Sequence, residues 1–183
     1  LAPGIDYASI AEAIGMVYRA LEDVLGSGGG AGGWISLLRA APQTARLKAL
    51  SDDELGSIFD EMCGELARWV SGSSDKNDLG YFFAQIGKEY SISGIPLSEL
   101  SMALALARKA TVRRVADEGV FENANALYSM LDISERVADF YSLGNYYLTK
   151  GFLETTLERI MATRKLDKAA IADFFRDDLF YKD

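Results

Sequence analysis

Few residue types in this chain could do chemistry, and one is missing. There is no histidine among its 183 residues. Without imidazole a chain cannot assemble a Ser-His-Asp or Cys-His nucleophile, hold haem through a proximal His or offer the commonest transition-metal ligand. What remains is one thiol, Cys63, some clustered carboxylates and a few glycine motifs. Gly28-Gly29-Gly30-Ala31-Gly32-Gly33 spells G-x-G-x-x-G, but a dinucleotide loop must follow a strand. The pattern before it is helical, so the run reads as a flexible linker. Gly87-Lys88 has Phe82 where a phosphate loop needs its first glycine, and Glu89 follows it. Asp75-Lys76-Asn77-Asp78-Leu79-Gly80 begins like a calcium loop. Leu79 and Ile86 then stand where the fifth and twelfth positions must supply oxygen.

The carboxylates read more simply as helix chemistry. Asp52, Asp53 and Glu54 sit where negative charge favours a helix N-terminus. Asp173, Asp177 and Asp178 form a solvated face, and di-iron sites need Glu-x-x-His pairs that this chain cannot make. Cys63 lies on an apolar stripe and reads as a buried, inert thiol; a thiolate haem ligand or redox sensor is the alternative. Arg108, Lys109, Arg113 and Arg114 complement a helix C-terminus; an anionic headgroup or partner patch is the other reading. No catalytic set, cofactor site or metal site is expected, and the chain is not read as an enzyme.

Composition narrows the partners. With 19 basic and 27 acidic residues the net charge is -8, which opposes binding to a phosphate backbone. A single cysteine excludes an internal disulfide and suits a reducing compartment. No basic-then-apolar leader opens the chain. The longest apolar runs, such as Met102 to Ala107, fall far short of the roughly 20 residues of a membrane span. A soluble cytoplasmic domain is expected. The sequence starts at Leu1 rather than Met and is expected to be a piece of a longer protein.

The elements that must position these residues are helices. From 52 to 70 the apolar residues Leu55, Ile58, Phe59, Met62, Cys63, Leu66, Trp69 and Val70 form one broad helix face, opened by a Ser51–Glu54 capping box and ended by Ser71-Gly72-Ser73-Ser74. A helix over about 76–92 carries Leu79, Phe82, Phe83, Ile86 and Tyr90 on one side. Pro96 opens a helix over about 97–118, whose Ala103, Ala105, Ala107 and Ala110 allow close approach. The helical pattern from about 121 to 165 is nearly unbroken, and Gly144 and Gly151 are where a bend is expected. Asp167 caps a last short helix. No convincing strand alternation appears, so the class is all-α. The domain reading is 1–25 an appended helix, 26–33 a Gly-rich linker and 34–183 the main helical domain.

Residues 34 to about 160 resemble the N-terminal sensor domain of RsbR-type (RsbT co-antagonist) stressosome proteins, a domain also found in some bacterial histidine kinases. The resemblance rests on Trp34-Ile35-Ser36-Leu37-Leu38, on Leu66-Ala67-Arg68-Trp69-Val70, and on Leu79-Gly80 leading to Gly94-Ile95-Pro96-Leu97-Ser98-Glu99-Leu100. The basic-ended helix Ala103 to Arg114 completes it. It implies a globin-like helical bundle without haem, usually a homodimer, fused to a downstream signalling domain. It transfers no catalytic or binding residue.

The expected function is therefore a non-catalytic bacterial sensor domain. An apolar small molecule would bind in the helical core near Phe82, Phe83, Ile86, Leu104 and Tyr141, and the long helix and dimer contacts would relay the change to a partner signalling protein. A scaffold or dimerisation module with a solid aromatic core is the alternative, because the same aromatics can simply pack.

Overall fold

The computed structural model describes positions 15, 19–20 and 23–25, residues 30–117 and residues 126–164, the last with side chains from 132 to 163. Its elements are α1 (Ala31–Ala40), a 3-10 turn (Leu47–Ala49), α2 (Asp52–Ser71), α3 (Lys76–Ser93), α4 (Leu97–Asp117) and α5 (Ala126–Arg164). All regular structure among the described residues is helical. None of these helices is long and apolar enough to cross a membrane. The expected helix after Asp167 lies outside the described residues.

Local chemistry sets the helix ends. The Ser51 hydroxyl accepts from the Glu54 N–H at 3.2 Å, and the Glu54 carboxylate accepts from the Ser51 N–H at 2.8 Å, a reciprocal capping box. Asp75 and Asp78 repeat the device at the start of α3. The residues that began like a calcium loop are therefore a helix cap. Gly72 and Gly94 end α2 and α3 in the left-handed conformation, each at φ 78°, which glycine adopts without a Cβ penalty. The Pro96 carbonyl accepts from the Glu99 and Leu100 amides and starts α4.

Two boundaries differ from the sequence reading. Helix α1 begins at Ala31, inside the stretch expected to be linker, because Ala31 and Trp34 are drawn into the core and Gly32 and Gly33 face open space. Leu25, at the end of the expected appended helix, is buried in the same core at 2% exposure. The second difference is α5, which runs unbroken through Gly144 and Gly151.

Those two glycines serve close approach rather than bending. A Cβ on Gly151 would collide with the Ala84 carbonyl and sit 2.8 Å from its Cα; one on Gly87 would collide with the Leu148 carbonyl and sit 2.8 Å from the Phe152 nitrogen. Backbone therefore lies directly on backbone. Gly80 lies against the Tyr147 ring, and Gly144 against that of Phe83. Farther along, the Ser91 and Thr156 hydroxyls are 2.9 Å apart, and Arg159 donates to the Ser91 carbonyl at 2.6 Å. Rising numbers in α3 meet rising numbers in α5, so the two helices run parallel, with α4 as the crossover between them.

The other helices dock on this pair. Helix α1 packs on α2 and α4, and both α2 and α4 pack on α5. Polar contacts between distant residues fix their register. The Trp34 indole N–H donates to the Ala103 carbonyl at 3.0 Å, and the ring stacks on Phe59 at 5.4 Å. The buried Glu99 carboxylate accepts from the amides of Arg46 and Leu47 at 2.8 and 3.1 Å, tying the 3-10 turn to α4. Trp69 donates to the Arg136 carbonyl at 3.0 Å, locking the end of α2 to α5. Ala103, Ala107 and Ala110 face inward, whereas Ala105 is exposed.

Gly87→Ala and Gly151→Ala should each cost about 2–4 kcal/mol, because the added methyl meets backbone that cannot rotate away. Gly64→Ala, on α2 with open space around its Cα, should gain about 0.5–1 kcal/mol. Urea unfolding of the three variants checks both signs.

Candidate functional site

The aromatic residues singled out in the sequence form a connected row rather than the wall of a single chamber. Phe82, Phe83, Phe140 and Tyr141 meet edge to face in sequence, with ring centroids 5.0, 5.3 and 5.2 Å apart. Such T-shaped contacts suit the ring quadrupoles. Phe83 and Phe140 are fully buried. Phe83 rests on Gly144, so the α3–α5 seam also makes room for one of the fully buried rings of the core. At the end of the row the Tyr141 hydroxyl lies 2.7 Å from the Thr111 hydroxyl, both buried. This pairing satisfies two polar groups that would otherwise be costly inside.

Where the helices converge, an apolar cleft of about 40 Å³ remains. Phe83, Ile86 and Leu104, three of the five residues named from the sequence, line it together with Trp34, Met62 and Tyr90 among others. Phe82 and Tyr141 do not. Phe82 is one residue from Phe83, so the helix turns it about 100° away, into a groove between α2 and α3. Tyr141 lines a recess between α4 and α5 with Arg108 and Asn145. The five expected pocket residues thus divide among three places. Leu55, Ile58 and Met62, which belong to the cleft, were visible as the apolar stripe of α2. Trp34 and Leu148 lie on other helices, and no local pattern tells which distant stripes share a cleft.

The groove between α2 and α3 is larger, about 540 Å³. Glu61 and Glu65 flank it from α2, and Asp78 and Glu89 from α3. Among the described residues its one cationic lining residue, Arg68, is paired with Glu65. The recess between α4 and α5, about 360 Å³, is crossed by a hydrogen bond from Ser101 to Asn145 at 3.0 Å. Among the described residues no group of three or more His, Cys, Asp or Glu is arranged to hold a metal ion. Of the basic cluster on α4, Arg108, Lys109 and Arg113 are exposed and Arg114 is half-buried.

Cys63 is buried at 1% exposure. Burial pushes its thiol up to about 12; Arg114 opposes the rise and Asp60 adds to it. A thiol held protonated in this way is a poor nucleophile. Tyr90, at the mouth of the cleft, is likewise pushed up to about 12, first by burial and further by the carboxylates of Glu89, Glu54 and Glu61. Burial also raises Tyr141, while the Thr111 hydroxyl acts the other way.

Comparison with protein families, with curated proteins and with solved structures finds no match to this chain.

The raised groups give a definite pH response. In the unfolded chain the thiol ionises above its ordinary 9.0 and the phenols above 10.0, whereas folded Cys63 and Tyr90 hold their protons to about 12. Their contribution to stability is therefore complete below pH 9 and declines as the pH rises toward 12. No side chain has an ordinary pKa between about 5 and 8, since histidine is absent. The melting temperature should be nearly constant across that range and fall above pH 9, with the earliest part of the fall missing in Cys63→Ala. Native Cys63 should not react with a disulfide reagent at pH 8 and should react once urea unfolds the chain.

Proposed function

We propose that the chain is a non-catalytic signalling and interaction domain whose core is filled by its own side chains and whose output is carried by helix packing and surface contact. The volume of the apolar cleft carries this reading. Small-molecule sites commonly enclose about 300–1,000 Å³, and even a cavity that accepts benzene is about 150 Å³. The cleft here is about 40 Å³. The aromatic row from Phe82 to Tyr141 occupies the space in which an apolar ligand was expected. The resemblance of residues 34 to about 160 to RsbR-type sensor domains supports the signalling role, a globin-like arrangement of the helices and a cytoplasmic setting. Helix α5, 39 residues long and so about 58 Å, extends well beyond the 18-residue α3. It is the natural element to pass a change in packing to a partner or downstream domain.

A ligand-sensing version has one observation in its favour. The cleft is lined by apolar side chains, and at its edge Ile58, Ile86 and Tyr90 are only half-buried. Rotation of those three side chains would widen it, and a ligand that bound only the widened form would shift the helices toward that packing.

Phe83→Ala separates the two readings. In a filled core it should cost about 3–5 kcal/mol; a loss under about 1 kcal/mol, the cost of trimming a loosely packed wall, would overturn the filled-core reading. Delipidated wild-type protein should show no added mass by native mass spectrometry and no change in melting temperature with fatty acids. A saturable rise in melting temperature would support the ligand sensor instead.

A further inference from the structure

The groove between α2 and α3 is built differently from the core. Helix α2 is held by α1 and α5, and α3 by α5, so the two make little direct contact with each other. The half-buried Phe82 and Ile86, four residues apart and so on one side of α3, form its floor. Tyr81 stands at its edge, 71% exposed, an unusual setting for so large an aromatic. Glu61 and Glu65 form one wall, and Asp78 and Glu89 belong to the other. Among the described lining residues four carboxylates thus accompany a single guanidinium, that of Arg68, which Glu65 already engages. Beside the groove, the Tyr90 phenol is raised first by burial and further by Glu89 and Glu61 of the groove and by Glu54 beyond it.

We propose that this groove docks a basic amphipathic helix of a partner protein. The chemistry of the floor and walls selects that occupant. An apolar floor between acidic walls matches a helix with an apolar stripe flanked by Lys or Arg. The run from Asp78 to Glu89 is about 17 Å long, three turns of a docked helix. The exposed ring of Tyr81 adds a cation–π partner for the flanking cations. A nucleic acid or an anionic lipid surface would be repelled by the same carboxylates. The net charge of -8 steers a cationic partner toward the groove and opposes docking of a second copy of this chain. The proposal gives the interaction function a surface, and it rests on that reading only in expecting a protein partner; the Phe83→Ala melt tests the core, and the experiment below tests the groove.

The probe is a labelled Leu/Lys amphipathic peptide of about 18 residues, titrated against the whole chain at about 150 mM salt. Saturable one-to-one binding is expected, with no binding of the matching Leu/Glu peptide. The double variant Glu61→Lys/Glu89→Lys should weaken the complex by about tenfold or more, and Tyr81→Ser should weaken it with no charge change. The charge-matched control Glu135→Lys/Asp139→Lys, on exposed positions of α5, should bind as wild type does. Thermal melts verify that each variant is folded. Equal weakening in the control would overturn the proposal by showing diffuse charge attraction. Failure of wild type to saturate, or self-association of the chain alone that Glu61→Lys/Glu89→Lys abolishes, would also overturn it.

Discussion

The contact of backbone on backbone between α3 and α5 is the constraint on which the rest of the structure depends. Gly87 admits the Leu148 carbonyl, and Gly151 admits that of Ala84. Only residues without a Cβ permit that separation, and they permit it at one register. Once α3 and α5 lie side by side in the same direction, α4 must cross back between their ends. The Phe83 ring then has a place only over Gly144, and through it the edge-to-face row extends to Phe140 and Tyr141. The packing of the aromatic core is in this sense a consequence of four small residues, Gly80, Ala84, Gly87 and Ser91, spaced to recur on one face of α3.

A second set of contacts transmits that register outward. Hydrophobic packing is weakly directional, so it leaves helices free to slide. Hydrogen bonds to mid-helix or turn groups do not. The Trp34 indole on the Ala103 carbonyl, the Glu99 carboxylate on two amides of the 3-10 turn and the Trp69 indole on the Arg136 carbonyl each join elements far apart in sequence. The Trp34 and Glu99 contacts also satisfy polar groups that would be penalised if left alone inside. These ties hold α1, α2 and α4 against the α3–α5 pair.

The same packing separates inside from outside. The apolar cleft left inside is about 40 Å³, and the surface around the core is uneven. Carboxylates dominate the groove between α2 and α3, while Arg108, Lys109 and Arg113 gather on the exposed side of α4. A chain without histidine cannot switch that pattern by ordinary imidazole titration near neutrality. Its surface charge is effectively constant across the physiological range.

Much of the secondary structure was legible from residue order because it depends on neighbours a few positions apart. The capping box at Ser51, the stop at Gly72, the break at Gly94 to Pro96 and the apolar stripe of α2 are local physical chemistry, and they appear where the periodicity put them. The burial of Cys63 followed in the same way from its place on that stripe. The glycines of α5 were legible as glycines but not as to their use: one residue type serves a bend or a close approach, and only the presence of Ala84 and Phe83 opposite decides which. The five residues expected near a pocket are distributed among three recesses for a related reason. Phe82 and Phe83 share a helix stripe at the resolution of periodicity, yet a 100° turn sends them to different compartments. Residue order alone was enough to place the three central helices, their caps and their apolar faces, and to exclude imidazole chemistry. The tertiary structure alone decided which faces meet, how little space they leave, and where carboxylates from two helices come together, because those outcomes depend on contacts between residues that no local pattern relates.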